Sequence, residues 1–170
     1  MQHQPLRPVL RLPRSALDRW LGRLALLMVA LSWAALLHAW PHLPDRVPTH
    51  FGLTGTPDAF GDRATLLTLP LLNVAFYLLL SLLQRVPHRF NYVVRITAQN
   101  AARQYTLART MLGWLTLEVS VLLMYATWQT AMVAMGQARG LPALLPPLLG
   151  GMFGVTVIGY LFAARAAAHT

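Results

Sequence analysis

The sequence predicts an all-α membrane protein. Four transmembrane helices form a bundle with both termini in the cytoplasm, and a structured extracytoplasmic loop joins helices one and two. Three observations predict it. Mean hydropathy is +0.48 and 11 % of residues are charged, against roughly 25 % in a soluble domain. Four apolar runs, at residues 24–40, 65–84, 111–135 and 144–164, each approach the ~20 residues that cross a hydrocarbon core of ~30 Å. The arginines are shared unequally among the segments between those runs. Helices are favoured because every backbone group in lipid must be satisfied within its own segment, and the alternating pattern of barrel strands is absent.

The formal charge is +9 and all fourteen basic residues other than histidine are arginine. They sit at the ends of apolar runs and not on one polar module, which argues against nucleic acid as a partner. Arg7, Arg11, Arg14, Arg19 and Arg23 precede the first run. Arg85, Arg89, Arg95, Arg103 and Arg109 lie between the second and third, and Arg165 follows the fourth. Arg46, Arg63 and Arg139 occupy the other two loops. The excess marks the cytoplasmic side, so both termini lie inside, in what reads as the inner membrane of a bacterium. There is no cysteine, which excludes disulfides and thiolate metal sites.

Residues 1–23 form a basic cytoplasmic segment, 24–164 a single four-helix transmembrane domain, and 165–170 a cytoplasmic tail. Pro5, Pro8 and Pro13 keep the first segment irregular. Ser15, with Asp18 three residues on, caps a helix that leads into the first run. The outer loop, 41–64, is the most decorated stretch. Its residues 43–63, LPDRVPTHFGLTGTPDAFGDR, hold one histidine, three aspartates, two arginines, three prolines and three glycines. Thr56, Pro57 and Asp58 read as a helix start, with Thr56 as N-cap, and Gly61 ends that turn. In the second run, Pro70 predicts a kink and Asn73 a hydrogen bond to a neighbouring helix. Pro87 breaks that helix. The inner basic loop, 85–110, carries Thr97 as cap of a helix that continues into the third run, with Ala101, Tyr105, Ala108 and Leu112 as an apolar stripe. That stripe reads as an extension of the third helix or as a docking surface for a cytosolic protein. Pro146 and Pro147 open the fourth helix. Gly150 and Gly154 allow close helix approach, within the bundle or in a homodimer.

Two sets of residues bear on chemistry. Glu118 is the acid inside an apolar run, a functional hypothesis by default. It relays protons or binds a cation, or its role is structural, as a partner of an inner arginine such as Arg85 or Arg109 or as a protonated carboxyl bonded to a neighbour. His38, His42 and His50, near Asp45, Asp58 and Asp62, have side chains that suit a divalent metal, but their spacing matches no known signature. The other readings of His50 are a hydrogen bond that locks the loop, or ligand recognition without metal. No serine-nucleophile, HExxH, phosphate-loop or dinucleotide motif is present, which weighs against an enzyme without excluding one, and no cofactor is assigned.

The loop resembles that of a bacterial integral-membrane family of unknown function. Its pattern is leucine-proline, proline-x-histidine, glycine, proline-aspartate and glycine, closing on a basic residue. Pro48, His50, Gly55, Asp58, Gly61 and Arg63 stand at those places, Arg63 where lysine is more usual, and Asp62 precedes it. Asn91, Tyr92, Asn100 and Arg103 in the inner loop resemble a second stretch found in that family. The same domain begins the immunity proteins against the sporulation-delaying toxin. The resemblance implies an immunity, signalling or envelope-accessory protein whose outer loop meets a peptide, lipid or envelope component. The alternatives are a membrane enzyme with a metal at His50 and the aspartates, and a small transporter that uses Glu118.

Overall fold

The computed structural model describes residues 7–142 and 144–168; Pro5 and Ala143 lie outside them. Helix α1 (Ala16–Ala39) starts on a capping box, in which Ser15 Oγ accepts from the Asp18 amide and the Asp18 carboxylate accepts from the Ser15 amide, each at 3.0 Å. Those bonds satisfy donors that the first helical turn leaves free. Pro41 tightens the far end into a 3₁₀ turn at Trp40–His42. Two antiparallel strands follow, β1 (Arg46–Phe51) and β2 (Pro57–Asp62). A 3₁₀ turn at Arg63–Leu67, capped by Asp62, leads into α2 (Thr68–Leu83). The chain ends in α3 (Ala101–Ala134) and α4 (Leu145–Ala166).

The loop after α1 is therefore a β-hairpin. Thr56–Pro57–Asp58 opens a strand, not the helical turn that its local sequence favours. Residues 46–51 lie opposite and offer a full backbone partner, with Arg46 facing Asp62 and Val47 facing Gly61. Pro70 does not kink α2. It occupies the first turn, where a helix has no use for the missing amide.

Four helices are long and apolar enough to cross a membrane. At 1.5 Å per residue the 34 residues of α3 span about 50 Å, so one helix joins the inner loop to the third apolar run. Side-chain bonds fix the helix directions. Ser32 of α1 meets Thr127 of α3 at 3.0 Å, and Asp18 meets Arg109, so α1 and α3 run parallel. Asn73 Nδ2 donates to Ser120 O and Gln84 Nε2 to Thr116 Oγ1, both at 3.2 Å, so α2 runs back along α3. Gln104 Nε2 donates to Ala164 O at 2.8 Å, so α4 is antiparallel to α3.

Ser32, Asn73, Gln104, Thr116, Ser120 and Thr127 are buried, while Leu26, Leu72, Phe76, Leu79 and Phe162 are exposed. Polar side chains inside and large apolar ones outside is the arrangement that a lipid solvent selects. An apolar cluster lies at one end, where Leu36, Ala39, Leu43, Val47, Leu66 and Ala131 pack together beneath the hairpin.

At the opposite end, Arg109 Nη2 lies 3.2 Å from Asp18 Oδ2, with both side chains buried. The guanidinium also donates to Leu12 O at 3.0 Å and Pro13 O at 2.7 Å. Thr110 Oγ1 donates to Asp18 Oδ1 at 2.8 Å. This knot ties the segment before α1 to α3, and it commits Arg109 to Asp18 and not to Glu118.

Helix α4 is the least covered. Only 6 % of its apolar window is buried, against 39 % for α3. A Cβ built on Gly150, Gly151, Gly154 or Gly159 would meet nothing within 4 Å. The glycine face therefore does not serve close packing within the bundle, because α4 turns its Thr156 and Ala164 side toward α3.

Candidate functional site

The hairpin is seated, not free. Val47 and Pro48 are buried against the bundle. At the tip, Gly55 has φ +78°, and its carbonyl accepts from the Leu141 amide at 2.8 Å. A Cβ on Gly55 would stand 2.1 Å from Leu141 O, and one on Gly140 would stand 2.2 Å from Gly55 O. Only glycine at both positions lets the tip lie on the segment after α3. The base is closed by the Arg63 amide bonding Asp45 O at 3.0 Å. Arg63 stacks its guanidinium 5.6 Å from the Trp40 ring centroid, a cation–π contact. Asp62 Oδ1 accepts from the Ala64 amide at 2.7 Å, which explains its place before α2. Gly61 leaves room for Thr49, whose methyl would lie 2.8 Å from an added Cβ.

On this frame His50 Nδ1 meets Asp58 Oδ1 at 2.5 Å across the two strands. Both side chains are open to solvent, at 68 % and 51 % exposure. Beside them Phe60 is a half-exposed aromatic and Leu53 stands fully exposed at the tip. The pair leaves the far imidazole nitrogen available for a ligand while the carboxylate fixes the ring. His38 and His42 are exposed on the end of α1 and the turn after it. Among the described residues, no three histidine or acidic side chains come together in a set that fits a metal ion.

Glu118 belongs to a different place. It lies thirteen positions before Ala131, the α3 residue beneath the hairpin, which is about 20 Å along the helix. His50, Asp58 and Glu118 therefore share no cavity. Glu118 is buried at the wall of a cleft of about 800 Å³ between α3 and α4. Thr156 Oγ1 donates to its Oε1 at 2.5 Å, and among the described residues Oε2 has no hydrogen-bond partner. The sequence reading missed Thr156, though it is the lone threonine of α4.

The inner-loop residues join elements at the basic end. Thr97 and Asn100 bond reciprocally, side chain to amide, at 3.2 and 2.9 Å. Asn100 Nδ2 also donates to Arg95 O at 3.0 Å. Tyr92 donates to Pro87 O at 2.9 Å and packs on Tyr105 at 5.7 Å between centroids. Burial pushes the Tyr92 phenol above its ordinary pKa, so it stays a donor. Asn91 and Arg103 are exposed. Ala101, Tyr105, Ala108 and Leu112 are all buried, so this stripe faces its own bundle and offers no docking surface.

Residues 27–74 match the sequence profile of a domain of unknown function, DUF1648. Over 58 residues the chain is 47 % identical to an uncharacterized protein of Archaeoglobus fulgidus, a match that covers 34 % of this chain and 32 % of that protein. The chain thus spans about a third of the length of that relative. No solved structure matches. The family likeness rests on residues 27–74, which hold the second half of α1, the whole hairpin and the start of α2.

Proposed function

We propose that this chain is a multi-pass protein of the cytoplasmic membrane whose hairpin recognises a peptide on the outer face. It acts as an accessory or immunity component and not as an enzyme. The arginine distribution supports an outward hairpin, and the loop's resemblance to the toxin-immunity proteins supports a peptide over lipid or other envelope components. One observation carries the reading: the His50–Asp58 pair is exposed on a hairpin that the bundle holds rigid. An exposed side-chain pair of this kind adds at most about 1 kcal/mol to stability, so the fold gains little from it. The sheet has two strands among the described residues, and an extended peptide can add to such a sheet as a further strand.

His50→Ala and Asp58→Ala are each expected to change stability by less than about 1 kcal/mol. Each should nonetheless fail to restore resistance to membrane-active peptides in a strain that lacks the gene, at wild-type protein level. Full restoration by both variants would remove the hairpin from recognition.

A further inference from the structure

Glu118 sits at the wall of the α3–α4 cleft with no cationic side chain beside it among the described residues. The residue is 4 % exposed. One oxygen accepts from Thr156, and the other has no hydrogen-bond partner among the described residues. Among the described residues no arginine or histidine lines the cleft, and Arg109, nine residues earlier, is held by Asp18 and two carbonyls. Apart from Thr110, whose hydroxyl donates to Asp18, the remaining wall is mostly apolar and includes Trp114, Tyr160, Met111 and Met152. A cation would answer a carboxylate in such a place, since an unpaired buried ion is costly and otherwise takes up a proton. The aromatic faces of Trp114 and Tyr160 suit a cation that carries its own apolar groups. The volume of about 800 Å³ falls within the ~300–1,000 Å³ of small-ligand pockets. Entry is from the side, where Leu148 and Val155 are exposed on α4 and the cleft's glycines, Gly151 and Gly159, leave open space.

We infer that this cleft binds a lipophilic organic cation, an ammonium or phosphonium centre shielded by apolar groups, with its charge at Glu118. Thr156 positions the carboxylate, and the apolar walls take the body of the ligand. The site is separate from the hairpin, so either reading can fail without the other.

The test uses the full chain purified in neutral maltoside micelles, with tetraphenylphosphonium as probe and equilibrium dialysis as readout. Wild type is expected to bind the probe saturably, one per chain. Glu118→Gln keeps the side chain's shape and removes the charge, and it should weaken binding at least tenfold. Gly151→Leu fills the cleft without touching the carboxylate and should weaken it comparably, while His50→Ala should bind as wild type does. Should Glu118→Gln not be recovered folded, Gly151→Leu decides alone. Absence of saturable binding to wild type would overturn the inference, as would binding within twofold of wild type in a folded Glu118→Gln or in Gly151→Leu.

Discussion

Replacing Arg109 by alanine is expected to cost about 3–5 kcal/mol of stability, because it leaves Asp18 as an uncompensated buried charge. The Arg109 and Asp18 side chains are 7 % and 1 % exposed, so water does not take over the role of the partner. The same change strips donors from the carbonyls of Leu12 and Pro13, which frees the segment before α1. Arg109→Lys should recover only part of the loss, since one ammonium cannot reproduce a planar fork shared between a carboxylate and two carbonyls. Replacing Asp18 and Arg109 together by leucine and methionine should cost less than the sum of the single changes. Detergent unfolding of the purified variants measures all of these. Additive single and double effects would show that the pair is not coupled.

Gly55→Ala is the second large effect. Its positive φ costs a non-glycine residue about 1–2 kcal/mol. The new methyl also meets Leu141 O at 2.1 Å, a backbone atom that cannot rotate away, and overpacking of this kind adds roughly 1–3 kcal/mol. Gly136 supplies the control. Its φ is +73°, but nothing lies within 4 Å of its Cβ, so Gly136→Ala should bear the conformational cost alone. The excess at Gly55 reports the seat of the hairpin on residues 140–141. In hydrogen exchange, Gly55→Ala should raise exchange across 46–62, whereas Gly136→Ala should leave that region protected. Equal losses at the two glycines would mean that the tip is not held.

The helices were legible because each is a long local run of apolar residues, and lipid leaves little choice of backbone. The hairpin was not. Thr56, Pro57 and Asp58 carry a helix-start signature within three residues. The outcome was decided by pairing with residues 46–51 and by docking on Leu141, neither of which a local reading sees. Asp18 was recognised as a cap, and it is one. Its second role as counter-ion depends on Arg109, ninety-one positions away. Glu118 stood out as a lone acid in an apolar run, but its hydrogen-bond donor lies on α4. The Gly150–Gly154 spacing signals close approach, yet it does not say which helix approaches, and among the described residues none does. His50 and Asp58 were both singled out for chemistry, but their pairing needed the register of the two strands.

The account rests on the hairpin facing outward, and the cysteine-free sequence makes that directly measurable. Leu53, fully exposed at the tip, and Arg89, in the inner loop, are each replaced by cysteine. Intact cells are then treated with a membrane-impermeant maleimide. The account predicts labelling of Leu53→Cys without permeabilisation and of Arg89→Cys only after it. The reverse pattern would place the hairpin in the cytoplasm and contradict extracytoplasmic recognition.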